Sequence, residues 1–161
     1  MRMSEGVEWT AHACALLAVL PDGKGLSAAA LAELNALPPA YMAKHMQALA
    51  KAGVVVSVRG AGGGYRLARP AAEVSLWDLV EAIEGGEPAF RCTEIRQNGP
   101  CASPPKDCKQ PCQIASAFHR AEQAWRTALR QSTLADILAE LARKQTPARR
   151  AELRNWLESK L

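Results

Sequence analysis

The sequence has few aromatic side chains and no long apolar run. Aromatic residues make up 5% of the 161 residues, and no apolar stretch approaches the roughly 18 residues of a membrane-spanning helix. The stretch ACALLAVL at 13–20 is short, and Glu5, Glu8 and His12 precede it where a signal peptide would carry basic residues. We therefore expect a cytoplasmic protein that does not enter a membrane.

Acidic residues are missing between Asn35 and Ala72, although the net charge of the whole chain is only +4. A segment with charge of one sign is an electrostatic footprint for a polyanion, because its side chains release counterions from phosphates. A solvated face that happens to lack acids would give the same pattern, so charge alone leaves both interpretations open. The basic residues of this window are Lys44, Lys51, Arg59, Arg66 and Arg69.

The first part of the chain predicts a winged helix-turn-helix. A short helix after the N-cap Ser27 breaks at Pro38-Pro39, and a second helix over 40–52 is closed by Gly53. A short loop between two such helices is typical of a helix-turn-helix. The β-branched run VVVSV, the glycine-rich RGAGGG and the strand-like YRLAR then follow directly over 54–69, which predicts a β-hairpin wing.

The rest of the chain predicts further helices, so the expected fold class is mainly α with one small hairpin. Ser75 and Asp78 form a capping-box-like start. The segment over 111–131 has apolar residues at spacings of three or four, which is typical of a long amphipathic helix. The predicted elements are helices over 7–20, 75–85, 111–131, 132–145 and 147–161, with a loop over 86–107.

The helix over 40–52 is the candidate recognition helix. Met42, Met46 and Leu49 form an apolar stripe that predicts burial. On the other faces, Lys44 could reach a guanine or a phosphate and Gln47 an adenine edge, although each polar residue alone could be an ordinary surface residue. The DNA-binding candidates are Tyr41, Lys44, His45, Gln47 and Lys51 on this helix, with Arg59 and Arg66 in the wing.

The glycine-rich segment GAGGGY over 60–65 is a weak candidate for a nucleotide site. It lacks the Lys-Ser/Thr pair of a phosphate-binding loop, and no helix follows it. The sequence therefore favours a binding protein over an enzyme.

Five cysteines occur in the chain, and three of them lie within CASPPKDCKQPC at 101–112. Thiols stay reduced in the cytoplasm, where clustered cysteines indicate metal binding or catalysis more than disulfides. The odd count also disfavours a disulfide framework. Cys14, on an alanine-rich helix, is expected to be a small buried residue.

The stretch GAGGGYRLARPAAEVSLWDLVEAIEG over 60–85, with the helix-turn-helix before it and the cysteines after it, closely resembles the IscR/NsrR/RirA-type transcriptional regulators. The resemblance covers nearly the whole chain. It implies a homodimeric, DNA-binding regulator with a winged helix over 1–85, a cluster-binding loop over 86–110, and a dimerisation helix with C-terminal helices over 111–161. Dimer symmetry predicts a nearly palindromic double-stranded operator.

The spacing of the cysteines differs from that of typical members and is similar to a redox-sensing, RsrR-type branch with a 2Fe-2S cluster. The segments VEWTAHAC, PAFRCTEIRQNGP and PPKDCKQPC resemble that branch. The resemblance implies that Cys108 and Cys112 of one subunit and Glu8 and His12 of the other hold the cluster. Cys92 and Cys101 are second-choice ligands. Trp9 adjoins Glu8 and is a candidate redox relay, with core packing an equal alternative.

The chemistry of these residues agrees with the resemblance. Glu8 and His12 are four residues apart, so a helix places them on one face. Replacing thiolates by imidazole generally raises the reduction potential of such a cluster, which favours a redox switch. Zinc on the same four side chains, or a cluster-free thiol switch at Cys108 and Cys112, would also fit. A redox module that binds no DNA is the competing class, and the acid-free window argues against it.

Overall fold

A computed structural model of the protein describes residues 3–60 and 63–161. Within those ranges the chain forms seven α-helices and one two-stranded hairpin, which confirms the expected fold class. None of the described helices is long and apolar enough to cross a bilayer. The elements are α1 (Glu5–Leu17), α2 (Ala28–Leu34), α3 (Pro39–Lys51), β1 (Val55–Val58), β2 (Gly64–Leu67), α4 (Leu76–Glu84), α5 (Gln113–Gln131), α6 (Leu134–Lys144) and α7 (Pro147–Glu158).

The helix-turn-helix consists of α2 and α3. Ser27 caps α2 by accepting a hydrogen bond from the Ala30 N–H at 3.1 Å, and Pro39 occupies the first turn of α3. Gly53 follows α3 with a φ of +73°, a left-handed conformation that glycine adopts without strain. The predicted N-cap serine, first-turn proline and terminal glycine therefore mark the helix ends that the sequence indicated.

The hairpin is antiparallel, with Val55 opposite Leu67 and Val58 opposite Gly64. Leu26 extends this sheet by exchanging two backbone hydrogen bonds with Tyr65, at 3.0 and 2.7 Å. Residues 61 and 62, at the tip of the predicted wing, lie outside the described residues. The strand pairing fixes the base of the wing beside the start of α2.

The core joins the winged helix to part of the C-terminal region. Leu31, Met46 and Leu49 are at most 1% exposed, and Leu134 of α6 is 0% exposed within the same core. The backbone N–H of Leu134 donates to the Val74 carbonyl at 2.9 Å. The domain boundaries at residues 85 and 110 stay a prediction. Helix α6, which follows the second boundary, shares the core of the winged helix.

The segment between α4 and α5 has little regular structure, as expected. It contains two short 3₁₀ turns, Ile95–Gln97 and Pro105–Asp107. The α4 helix that precedes it begins with the predicted capping box, in which the Asp78 carboxylate accepts hydrogen bonds from the Ser75 N–H and hydroxyl.

Candidate functional site

The α3 helix presents a polar face to solvent and an apolar face to the core. Met42, Met46 and Leu49 are all 0% exposed, which confirms the predicted stripe. The opposite side carries Tyr41, which is 59% exposed, together with the exposed Lys44, Gln47 and Lys51. Four of the five α3 candidates are therefore accessible to a polyanion.

His45 lies at the junction of α3 with α1. Its imidazole is half-buried against Gly6, where a Cβ would meet the ring atom Nε2 at 2.8 Å. Burial lowers the pKa of His45, the neighbouring positive charge of Lys44 lowers it further, and the carboxylate of Glu84 opposes this. His45 therefore packs between α3 and α1. Only glycine at position 6 leaves space for its imidazole ring.

Trp9 connects α1 with the N-terminal part of α3. Its ring packs edge-to-face against Tyr41, with 6.5 Å between centroids, and against His45, with 5.9 Å between centroids. Edge-to-face aromatic pairs prefer one relative orientation, so a rotation of Trp9 would disturb both neighbours. Trp9 immediately follows Glu8 on the same helix.

The wing arginines flank the hairpin at its solvent side. Arg59 is exposed directly after β1. Arg66 is exposed on β2 opposite Val56 and donates to the Leu67 carbonyl at 3.3 Å. Both guanidinium groups are placed where a wing can approach a phosphate backbone.

Cys108 and Cys112 flank the start of α5. Cys108 ends the Pro105–Asp107 turn, and Cys112 is the N-cap of α5. The Cys112 sulfur accepts a hydrogen bond from the Ala115 N–H at 3.4 Å. Both thiols are half-buried. The Cys112 sulfur therefore lies at the amino end of α5, where the helix dipole stabilises negative charge.

Arg96 is a functional candidate that the sequence analysis missed. Its guanidinium donates to the Gln110 carbonyl, between the two cysteines, at 3.0 Å and forms a 2.7 Å ion pair with Glu94. The hydrogen bond to Glu94 raises the pKa of Arg96, and the charges of the Cys108 and Cys112 thiols add to this effect. The guanidinium group therefore places a positive charge beside the loop that carries both cysteines. No sequence signal identified Arg96, because it lies 12 residues before Cys108.

The remaining cysteines have different environments. Cys92 and Cys101 are exposed in the loop, with the Cys92 sulfur 3.5 Å from Glu94 Oε1. Cys14 is fully buried, as expected, and burial raises the pKa of its thiol to about 12. Cys14 is therefore a packing residue.

Glu8 and His12 are both exposed on α1. Among residues 3–60 and 63–161, no three His, Cys, Asp or Glu side chains of one chain come together in a way that could hold a metal ion. The structure places Glu8 and His12 on one element and Cys108 and Cys112 on another, without joining the two pairs.

An apolar surface begins two residues after Cys112. On α5, Ile114 is 68% exposed and Phe118 is 52% exposed. Phe118 stacks on Phe90 of the preceding loop, with 4.5 Å between ring centroids, and an open apolar groove continues beside it to Trp125. Large exposed apolar side chains of this kind are typical of protein–protein contact surfaces.

Comparisons with known proteins agree with this architecture. The Rrf2 family model, described as an iron-dependent transcriptional regulator, matches residues 3–140. The HTH-type transcriptional regulator YffB of Lactococcus lactis is 30% identical over 140 residues, which are 87% of this chain and 88% of YffB. The corresponding regulator YwgB of Bacillus subtilis is 25% identical over 86% of this chain and 85% of its own.

Solved structures show the same fold. The T. potens IscR structure has a TM-score of 0.67 at 24% identity, over 91% of this chain and 92% of that one. CymR, described as the global cysteine regulator of B. subtilis, has a TM-score of 0.66 at 22% identity, over 87% of this chain and 98% of that one. At these identities the structural likeness concerns the fold alone.

Proposed function

This chain belongs to the Rrf2 family of transcriptional regulators, and on that premise we propose that it is a cytoplasmic homodimer whose operator affinity is switched by a 2Fe-2S cluster. Cys108 and Cys112 of one subunit and Glu8 and His12 of its partner would hold the cluster. The operator would be nearly palindromic duplex DNA, read by α3 and the wing.

The environment of the two cysteines carries the cluster proposal. Cys112 accepts a backbone N–H at the start of α5, and Arg96 is fixed on the carbonyl between the two thiols. Both features place positive electrostatic potential at the cysteine loop, where it would stabilise a negatively charged cluster. A pair of thiolates, an imidazole and a carboxylate fits the donor set of an asymmetric two-iron cluster.

The position of the apolar α5 face supports a site shared between subunits. Ile114 lies two residues after Cys112 and Phe118 one turn further, so the sulfurs border the surface that a second copy would cover. The exposed Glu8 and His12 leave their donor atoms available to a partner. When bound, the cluster supplies a one-electron redox couple, whose potential an imidazole ligand generally raises.

Trp9 provides a physical connection between the ligand helix and the DNA-reading face. It adjoins Glu8 on α1 and packs edge-to-face on Tyr41 and His45 of α3. A change of charge beside Glu8 and His12 would alter the preferred position of this indole and thereby the population of α3 orientations. The DNA contacts would be made by Lys44, Gln47 and Lys51, with Tyr41, Arg59 and Arg66 beside them.

The test of the cluster is anaerobic purification followed by a visible spectrum and analysis of iron and acid-labile sulfide. We expect a coloured protein with two irons and two sulfides per site. Cys108→Ser and Cys112→Ser should lose the cluster, and Glu8→Ala or His12→Ala should change its spectrum, whereas Cys101→Ser, also in the loop, should not. A colourless protein that contains zinc would contradict the cluster, and an unaltered spectrum in Glu8→Ala would contradict only that ligand.

DNA binding has a separate test, a gel-shift titration against genomic fragments with oxidised and reduced protein. Sequence-selective binding in one redox state and at least tenfold weaker binding in the other would support the switch. Equal selective binding in both states would leave the regulator in place and exclude the redox switch. No selective binding in any state would exclude the regulator and favour a redox module.

A thiol switch is the second candidate, because Cys108 and Cys112 are four residues apart and both are half-buried at the start of α5. Metal-free protein would then change its DNA affinity on oxidation, and Cys112→Ser would abolish that change. Iron analysis of the purified chain distinguishes this case from the cluster.

A further inference from the structure

The last helix, α7, is packed against the helix-turn-helix. Leu153, Trp156 and Leu157 contact the edge of the core. The Lys160 ammonium group forms a 2.7 Å ion pair with Glu33 of α2, and the Lys24 ammonium group donates to the Leu161 carbonyl at 3.4 Å. The end of the chain is therefore fixed along the first helix of the DNA-reading motif.

The excess positive charge of the protein is concentrated at this end of the chain. Residues 143–161 carry six basic and two acidic side chains, a net charge of +4, which equals the net charge of the whole chain. The remaining residues are balanced. The match to the family model ends at residue 140, so this charge belongs to a segment beyond it.

Two of the α7 arginines are available for an external partner. Arg149 is used within the helix, in a 3.0 Å ion pair with Glu152. Arg150 and Arg154 are four residues apart, exposed, and outside the six ion pairs recorded for the described ranges 3–60 and 63–161. Residues four apart share one helix face, so their two charges lie side by side.

The place where α7 is packed decides which partner fits. Glu33 lies near the end of α2, just before the turn into α3, and Lys24 lies just before Leu26, which pairs with Tyr65 at the base of the wing. Lys160 and Leu161, directly after α7, therefore lie beside α2. In helix-turn-helix proteins the first helix crosses the phosphate backbone, so a basic helix packed on it lies close to flanking phosphates.

We propose that α7 is an additional DNA-contacting element, in which Arg150 and Arg154 bind backbone phosphates flanking the bases read by α3. The inference rests on the DNA-binding function proposed above, but not on the cluster. Phosphate contacts add affinity and register without base specificity. The contribution of α7 should therefore be the same on operator and on unrelated DNA.

The experiment compares full-length wild type with Arg150→Gln/Arg154→Gln in operator binding from about 0.05 to 0.3 M salt. The dimer would lose two phosphate contacts in each subunit, four in all, which should reduce the slope of log K against log salt by about 3.6 and weaken binding by up to about 4,000-fold at 0.1 M. Arg150→Lys/Arg154→Lys keeps the charge and should retain the slope. The protected backbone in a hydroxyl-radical footprint should shorten at its flanks in the Gln variant.

Arg143→Gln/Lys144→Gln is the matched control, because it removes two exposed positive charges at the end of α6, outside the winged helix and the cysteine loop. It should leave slope and footprint unchanged, and circular dichroism should show the same folded state for all variants. An unchanged slope in Arg150→Gln/Arg154→Gln, with wild type binding the operator, would overturn the role of α7 alone. Absence of DNA binding by wild type would overturn this inference together with the proposed function.

Discussion

In the winged helix, Met42, Met46 and Leu49 are completely buried, whereas on α5 Ile114 and Phe118 are 68% and 52% exposed. Both helices carry apolar residues at helical spacing, yet only the stripe of α3 is completely covered within its own chain. Burial of one large apolar side chain contributes roughly 1.5–3 kcal/mol, so the uncovered α5 face represents a substantial driving force for association. The apolar face of α3 is covered within one chain, and on the function proposed above the exposed part of α5 would be covered by a second copy.

The largest effect on stability is expected in the winged helix, where the apolar face of α3 is buried. Leu49→Ala should lower the free energy of unfolding by about 2–5 kcal/mol, because it removes a fully buried side chain and leaves a cavity. Urea denaturation followed by circular dichroism measures this loss. Phe118→Ala is the comparison, because truncating this half-exposed side chain should cost less within one subunit. If both variants lose the same free energy of unfolding under monomeric conditions, α3 and α5 do not differ in how well their apolar faces are buried.

The next largest effect concerns the exposed apolar face of α5. Phe118→Arg should weaken dimerisation by about 100-fold or more, since a charge would be desolvated in an apolar interface. Light scattering during size-exclusion chromatography should show a monomer that keeps the helical circular dichroism of wild type. Val19→Arg also places a charge at an exposed apolar position, which is 48% exposed at the end of α1, and should leave the dimer intact. A Phe118→Arg protein that stays dimeric would show that α5 is not the interface.

A third prediction concerns Arg96, in the loop between the winged helix and α5. Arg96→Gln should weaken iron retention by about 10- to 100-fold, as is typical for residues that orient metal ligands from outside the ligand set. The measurement is iron release to a chelator, read from the visible spectrum. Arg91→Gln is the control on the same loop, because Arg91 is paired only with Glu87 and is 75% exposed. Equal release rates in the two variants would leave Arg96 with no role at the site.

The smallest effect is a pH dependence within the winged helix. His45 is partly buried and its pKa is lowered, so the unfolded chain takes up its proton at a higher pH than the folded one. The free energy of unfolding should therefore fall as pH decreases below about 6.5, the ordinary histidine value, and level off below the lowered pKa. Solvent screens a partly exposed imidazole, so the change should stay under about 1 kcal/mol.

Thermal or urea unfolding between pH 5 and 8 measures this change. Glu84 faces His45 and opposes the shift, so Glu84→Gln should enlarge the pH dependence. His45→Gln should reduce it. A pH dependence that His45→Gln leaves unaltered would assign the effect to other groups.

Sequence reasoning succeeded where structure depends on neighbours in the chain. The spacing of Met42, Met46 and Leu49 identified the buried face of α3, and Ser75 with Asp78 identified the start of α4. These signals arise from helix periodicity and from capping of free backbone N–H groups, both of which are local. The bounds of the predicted helices agree with the structure to within a few residues for the same reason.

Sequence reasoning was incomplete where contacts join distant segments. His45 has the spacing of an exposed base-reading residue, but its side chain packs against Gly6, 39 residues earlier. Leu134 could not be assigned to the core of the winged helix, and Arg96 could not be connected with the Cys108–Cys112 loop. Each of these contacts follows from the way helices pack, which helix periodicity does not specify.

The sequence by itself determined the winged helix-turn-helix and the long amphipathic helix, because helix periodicity and capping residues specify them, whereas the two candidate ligand pairs came from the family resemblance. Only the tertiary structure decided that Trp9 connects α1 with α3, that Arg96 bonds the backbone between the two cysteines, and that Lys160 after α7 pairs with α2. The physical reason is that local hydrogen bonding selects the elements, whereas burial of their apolar faces selects which distant side chains meet.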